Sequence, residues 1–309
     1  MMKKRWIVFA VMLFWMSGCG GDGTPSDRTY TLSWIHGDRM KDFTGRGSVI
    51  GMREAMFDLD HPAFAKLSLV YNNARRWKGG ESVEETHGTH MLGILAASGS
   101  IRGLAPAAGY ALTSTANHNM AFEELEGAGV DVVNNSYIMA TYSGYESISK
   151  TVKNQTLYAR GGTGIVHVFA AGNQGKHLVA GVAFPAVFAA HALIVGELDE
   201  GDLTLCSNYG KEVDVFVQVP VLTTTVGGSF GVDRGSSCSV AVAVAVVAKV
   251  RQLRPDLNAT TIMDLICKTA DHIGGVAYDQ KDEQGNMRSD LYGCGSLNAD
   301  KLFEAAEVF

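Results

Sequence analysis

Gly235-Ser236-Ser237-Cys238-Ser239 runs straight into Val240 to Val250, where valine and alanine nearly alternate, and the reading of that stretch decides the fold. Alternation has the period of a strand. The alanine content and the continuation Lys249-Val250-Arg251-Gln252-Leu253-Arg254-Pro255 favour instead a helix buried nearly all round that ends before the proline. A glycine and two serines then open an apolar helix. Serine suits that place as a cap, and a serine there can also act as a nucleophile.

Working outward, His87-Gly88-Thr89-His90 offers a general base, and Phe169-Ala170-Ala171-Gly172-Asn173 places an asparagine after an apolar run, where its amide can stabilise an oxyanion. Short apolar runs at Val49-Ile50, Val130 to Val133, Ile165 to Ala171 and Ala192 to Val195 alternate with longer helix-compatible stretches. That pattern predicts an α/β fold around a mostly parallel sheet with helices on both faces. Gly235-Ser236-Ser237-Cys238-Ser239 is not Gly-x-Ser-x-Gly, which argues against an α/β-hydrolase elbow.

With 309 residues and 46% hydrophobic content, the chain can bury a substantial core. No internal repeat or low-complexity block divides it. The formal net charge of −6 includes Lys3, Lys4 and Arg5 and becomes −9 without them, which argues against nucleic acid as a partner. Those three residues precede an apolar stretch from Trp6 to Met16 that falls short of the ~20 residues a membrane-spanning helix needs. Met16-Ser17-Gly18-Cys19 then resembles a bacterial lipobox, with Cys19 as the lipid-bearing residue. Residues 1–19 are therefore expected to be a lipoprotein-type signal, 20–43 a flexible glycine-rich tether, and 44–309 a single catalytic domain lipid-anchored in the cell envelope or secreted. Cys206, Cys238, Cys267 and Cys294 allow three complete pairings, and their spacing matches no zinc site. Cys238, beside the candidate nucleophile, is the one expected to stay reduced.

Six motifs in order carry a resemblance that covers most of the chain from Gly45 onward. They are Phe57-Asp58-Leu59-Asp60-His61-Pro62, His87 to Gly93, Gly103-Leu104-Ala105-Pro106, Val133-Asn134-Asn135-Ser136, Ala170-Ala171-Gly172-Asn173 and Gly235-Ser236-Ser237. Tyr292-Gly293-Cys294-Gly295-Ser296-Leu297-Asn298 is also similar to the closing segment of the same family. The chain resembles the subtilisin-like serine proteases, especially the lipoprotein and autotransporter type of Gram-negative bacteria. The resemblance implies a three-layer α/β/α sandwich and endopeptidase activity on extended peptide or protein substrates. It implies His87 as general base, Ser237 as nucleophile, Asn173 with the Ser237 N–H as oxyanion hole, and a substrate cleft at Ser136, Tyr137, Ile138, Ala171 and Gly172. No cofactor is required for this chemistry. No carboxylate cluster is clear enough to name a calcium site, and His87 and His90 lack the intervening Glu and third ligand of a zinc helix.

The pattern breaks at the orienting acid. The family strand ends Asp-Ser/Thr-Gly, seven residues before the His-Pro pair, and counting back from His61 gives Glu54-Ala55-Met56. Glutamate adds one methylene, about 1.5 Å of reach. The expectation is a modified Glu54-His87-Ser237 triad whose carboxylate sits at the wrong depth, so that Glu54→Asp would raise turnover. Arg53 is positioned to compete for that carboxylate, while Asp58 and Asp60 fall past the strand end. Ala241 replaces a family proline, and Ile138 replaces a glycine of the cleft. The alternative is a degenerate relative that binds peptides without efficient cleavage.

Overall fold

In the computed structural model, residues 29–137, 145–179, 184–199 and 205–309 are described. Cys19 and Ile138 lie outside them. Strand β1 (Val49–Arg53) is flanked by β3 (Gly109–Thr113) and β4 (Val132–Asn135). The sheet continues to β2 (Ser68–Asn73) beyond β3, and to β5 (Val166–Ala170), β6 (Leu193–Leu198) and β7 (Val215–Gln218) beyond β4. Every pairing in this seven-stranded sheet is parallel. The predicted α/β class is therefore observed.

Strand order creates the site. From β1, third in the seven-strand order, the chain first fills one side with β2 and β3, then crosses back to β4, so the topological switch falls between β1 and β4. Ligands of open parallel sheets bind in the crevice outside the carboxyl ends of the strands at such a switch. Glu54 follows β1, Ser136 follows β4, and Ala171 to Asn173 follow β5, so all three segments open on the same crevice.

Side-chain alternation splits the core into two halves. Ile50, Met52, Val132, Val166, Val168 and Ala170 belong with the apolar faces of α2 (Val83–Ala96), α5 (Ser236–Leu253), α6 (Ala259–Thr269) and α7 (Ala299–Val308). Ala111, Val133 and Phe169 pack with Phe122 and Leu125 of α3 (His118–Gly127) and Ile148 and Val152 of α4 (Tyr145–Tyr158). The result is the α/β/α sandwich. The Val-Ala stretch is indeed helical. Helix α5 is long and apolar enough to cross a membrane, but nearly all of it is buried inside the fold. Its polar residues at the far end bond to carbonyls, Lys249 Nζ to Met40 O and Arg251 Nη2 to Gly164 O.

Residues 29–43, expected as part of the tether, pack against the fold. A short helix, α1 (Thr29–Trp34), precedes Ile35 and Met40, which are both fully buried. Ile35 O and His36 O accept from Ala299 N and Asp300 N at 2.7 and 2.8 Å, and Phe43 stacks edge-on against Phe303. Glycine content near Cys19 extended the flexible reading too far, because the apolar residues after Thr29 find a groove against α7. Cys267 and Cys294 form a disulfide that ties α6 to the segment before α7, and Cys238 is a fully buried thiol outside it.

An antiparallel hairpin, β8 (Val221–Thr225) with β9 (Ser229–Asp233), carries the chain from β7 to α5. It lies on α2, where Thr223 and Thr224 donate their hydroxyls to the carbonyls of His90 and Thr89. Gly93 makes that approach possible, since a Cβ there would fall 2.2 Å from Thr224 Oγ1 and 2.6 Å from Thr224 N. Gly93→Ala should cost about 1–3 kcal/mol through forced separation of hairpin and helix. Thermal unfolding would show the loss as a midpoint lowered by several degrees, and an unchanged midpoint would refute the packing argument.

Candidate active site

Glu54 continues the path of β1, donating its N–H to Thr113 O at 3.1 Å, and its carboxylate turns toward α2. There Glu54 Oε2 accepts a 2.9 Å hydrogen bond from His87 Nδ1, with both side chains buried. Gly88 gives the carboxylate its room. A Cβ at Gly88 would lie 2.8 Å from Glu54 Cβ and 2.3 Å from Met56 O. The bond fixes the Nδ1–H tautomer and leaves His87 Nε2, buried and without a partner among the described residues, able to accept a proton. The structure thus corrects the expectation of a misplaced acid: helix and strand are spaced for the longer side chain. Glu54 Oε1 is buried and unpartnered among the described residues, a cost that this spacing leaves unpaid.

Burial pushes His87 down, but the Glu54 charge and hydrogen bond, with the Asp233 charge behind them, outweigh it and hold the imidazole above its ordinary 6.5. Arg53 does not compete for Glu54. Its guanidinium donates to Thr115 O and Ala116 O and lies over the Tyr137 ring. Asp58 accepts from Gly227 N, and Asp60 pairs with Arg76, so neither substitutes for Glu54.

Ser237 is the second residue of α5. Gly235 precedes it at φ +115°, a conformation that favours glycine, and a Cβ there would stand 3.2 Å from Asn173 Nδ2. Ser236 serves as a clamp. Its hydroxyl accepts from Gly172 N and donates to Asn173 Oδ1, which also accepts from Ser236 N. With Oδ1 occupied, Asn173 Nδ2 is left to face outward. Cys238 N and Ser239 N both go to Gly235 O, and among the described residues the Ser237 N–H is the donor left over at the positive end of the helix. Ser237 Oγ donates weakly to Ser136 O at 3.3 Å, and Ser136 Oγ in turn donates to Ser237 O at 3.0 Å. The hydroxyl is therefore not yet bonded to His87 Nε2, as is common in a site without substrate.

His90, three residues along α2, pairs with Asp233 through a 2.8 Å Nδ1–Oδ2 bond, which fixes the end of β9 against the helix that carries the base. Asp233 is held below the usual carboxylate range: burial raises it, and the His90 bond and charge outweigh that. His90 is thus engaged in an ion pair. Among the described residues, Cys267, Asp282 and Cys294 gather with metal-ligand character, but the two cysteines are joined to each other.

The sequence pattern of the Peptidase S8 subtilase family matches residues 45–295. The chain belongs to the subtilase family. It is 26% identical over 254 residues to subtilisin of Bacillus pumilus, covering 76% of this chain and 88% of that one. Against Subtilisin NAT of Bacillus subtilis subsp. natto it is 26% identical over 253 residues, covering 76% of this chain and 64% of that one. Among solved structures, the serine protease of Aeromonas sobria in complex with the chaperone ORF2 matches with a TM-score of 0.70 at 18% identity, over 90% of this chain and 62% of that one. The prenylagaramide maturation protease PagA matches with a TM-score of 0.64 at 19% identity, over 83% of this chain and 93% of that one. This subtilase spans less than two thirds of Subtilisin NAT and of the Aeromonas protease.

Within this subtilase, Glu54, His87, Asn173, Ser136 and Ser237 converge on the crevice between β1, β4 and β5. Tyr137, Ala171 and Gly172, expected in the substrate cleft, are buried beside it. The Tyr137 ring is buried with its hydroxyl on Asn135 Oδ1. Ala171 O and Gly172 O are both taken by Asn208. The backbones of Ala171 and Gly172 are thus held by Asn208 where the chain passes from β5 to Asn173. Sequence reading missed Asn208, Asp233 and the clamping role of Ser236. Only Asp233 carried a signal, as a carboxylate two residues before the glycine that opens α5.

With its pKa above 6.5, His87 is neutral only at higher pH, so a rate that needs neutral His87 should rise with pH through a midpoint above 6.5. Glu54→Gln should move that midpoint to lower pH and reduce kcat, since the charge that offsets burial is gone. Glu54→Asp should lower kcat roughly 10- to 100-fold, because a carboxylate withdrawn by about 1.5 Å no longer reaches Nδ1. Peptidase kinetics from pH 5 to 9 check both; a faster Glu54→Asp enzyme would overturn the geometric argument.

Proposed function

We propose that this subtilase is a serine endopeptidase that works through a Glu54-His87-Ser237 triad on extended peptide segments. The observation that carries the proposal is the buried 2.9 Å bond from His87 Nδ1 to Glu54 Oε2, which leaves Nε2 available to accept a proton. Nε2 takes the Ser237 proton as Oγ attacks the peptide carbonyl. Asn173 Nδ2 and the Ser237 N–H receive the developing oxyanion, and Glu54 and Asp233 stabilise the imidazolium. His87 then protonates the leaving amine. A water molecule, deprotonated by the same nitrogen, hydrolyses the acyl-enzyme.

The cellular setting proposed is the bacterial cell envelope, with attachment through Cys19. What supports it is the order of basic residues Lys3 to Arg5, a short apolar stretch and Met16-Ser17-Gly18-Cys19. Cys19→Ser should release the protein from the membrane fraction or leave its signal uncleaved. Unchanged membrane association with a cleaved signal would refute the anchor.

A fluorophosphonate probe tests the chemistry. Ser237→Ala should abolish covalent labelling, whereas Ser236→Ala should retain the labelled serine but react more slowly, since Asn173 then loses its clamp. Labelling that survives Ser237→Ala would place the nucleophile elsewhere. A wild-type protein that neither labels nor cleaves would favour the peptide-binding alternative, with which the bond from Ser237 Oγ to Ser136 O, in place of His87, would agree.

A further inference from the structure

Glu197 is a carboxyl group where the fold would otherwise place an apolar side chain. It lies on β6, whose residues are all buried, two residues after Val195 and directly before Leu198, and it is 2% exposed. Oε1 is buried without a partner among the described residues. A buried carboxyl without full satisfaction costs stability, so a purely structural position would favour a hydrophobic residue. The triad makes no use of it.

Its surroundings point to the nucleophile. The Gly235 N–H and the Arg234 guanidinium both favour the charged form of the Glu197 carboxyl group, and the guanidinium bonds Asp199 Oδ1 at 3.1 Å. Gly235 O accepts from the N–H groups of Cys238 and Ser239, which form the first turn of α5. Gly235 thus lies between the buried β6 carboxyl group on one side and the first turn of the helix that presents Ser237 on the other. Asp233, one residue before Arg234, is bonded to His90 on the helix of the base. The segment Asp233-Arg234-Gly235 is therefore pinned to both helix α2 and strand β6.

We propose that Glu197 is a positioning residue: its carboxylate holds the Arg234-Gly235 turn, and through it the Ser237 hydroxyl and N–H, in the geometry needed to attack and to receive an oxyanion. This inference rests on the endopeptidase reading above. The groups that face Glu197 are Asp199 from the end of its own strand, Asp233, Arg234 and the Gly235 N–H from the turn, and the Cys238 thiol from α5. From the following loop, Ser207 Oγ accepts the Glu197 backbone N–H, and the Cys206 N–H donates to Glu197 O. Burial pushes the Glu197 carboxyl up to about 7; Arg234 and the Gly235 N–H oppose this, and Asp199 and Asp233 add to it. The turn is consequently held by a charged carboxylate only above neutral pH, and loosens as pH falls.

The test is steady-state peptide hydrolysis by wild type, Glu197→Gln and Glu197→Ala from pH 5 to 9. The rising limb of the wild-type kcat profile should carry two ionisations, His87 and Glu197, and that of each variant only one. At pH 8 both variants should lose roughly 10- to 100-fold in kcat with KM within about threefold, the pattern of a misoriented nucleophile with an intact cleft. Glu197→Gln preserves volume, so it decides the matter if Glu197→Ala proves misfolded by circular dichroism. Variants that keep wild-type kcat and a profile of the same steepness would overturn the assignment while leaving the triad intact. A wild type that neither cleaves peptides nor reacts with a fluorophosphonate would instead overturn the endopeptidase reading on which the assignment depends.

Discussion

The hydrogen bond from His87 Nδ1 to Glu54 Oε2 sets the spacing of the site. It spans from the end of β1 to the first half of α2, so the distance between sheet and helix has to match one particular acid. Gly88 provides that match, because α2 can sit against Glu54 and the Met56 carbonyl only where no Cβ intervenes. The helix is in turn fixed from its other side by the threonines of β8 and by Gly93. A glutamate in this position is therefore a property of the packing around it. Exchanging the acid alone leaves the helix where it was.

The start of α5 carries a comparable concentration of demands. One short turn supplies the proposed nucleophile, an N–H unpaired among the described residues at the positive end of a long helix, and the serine that orients Asn173. Such a turn cannot also stabilise itself by ordinary capping, since the Ser236 hydroxyl is spent on Gly172 and Asn173. Support comes from outside it, from His90 through Asp233 and from β6 through Glu197. The long apolar body of α5, buried across the sheet, holds the helix axis while these contacts hold its end.

The fold was legible because its signals were local and repeated. Apolar runs such as Ile165 to Ala171 read as buried parallel strands, and the proline after Arg254 ended the helix that the Val-Ala alternation obscured. His87, Asn173 and Ser237 could be named because each sits in a short motif whose residues serve the same local turn. What sequence could not give was distance. Whether Glu54 reaches His87 depends on a helix-to-strand gap set by Gly88, thirty-four residues away, and that the Tyr137 ring is buried with its hydroxyl on Asn135 was not legible, because a motif fixes the path of the backbone but not where a ring points. Residues 29–43 read as tether for a related reason, since the groove that receives Ile35 and Met40 is built by α7 at the opposite end of the chain.

The central claim, that a glutamate fully replaces the usual acid in orienting the base, is tested most directly by proton NMR of His87 in the Ser237→Ala protein. The account predicts an Nδ1 proton that is strongly deshielded and protected from exchange by its buried bond to Glu54, in an imidazole that titrates above 6.5. Glu54→Gln should remove the deshielding and lower the titration midpoint. An imidazole that titrates at or below 6.5 with no protected Nδ1 proton, or one unchanged by Glu54→Gln, would contradict it.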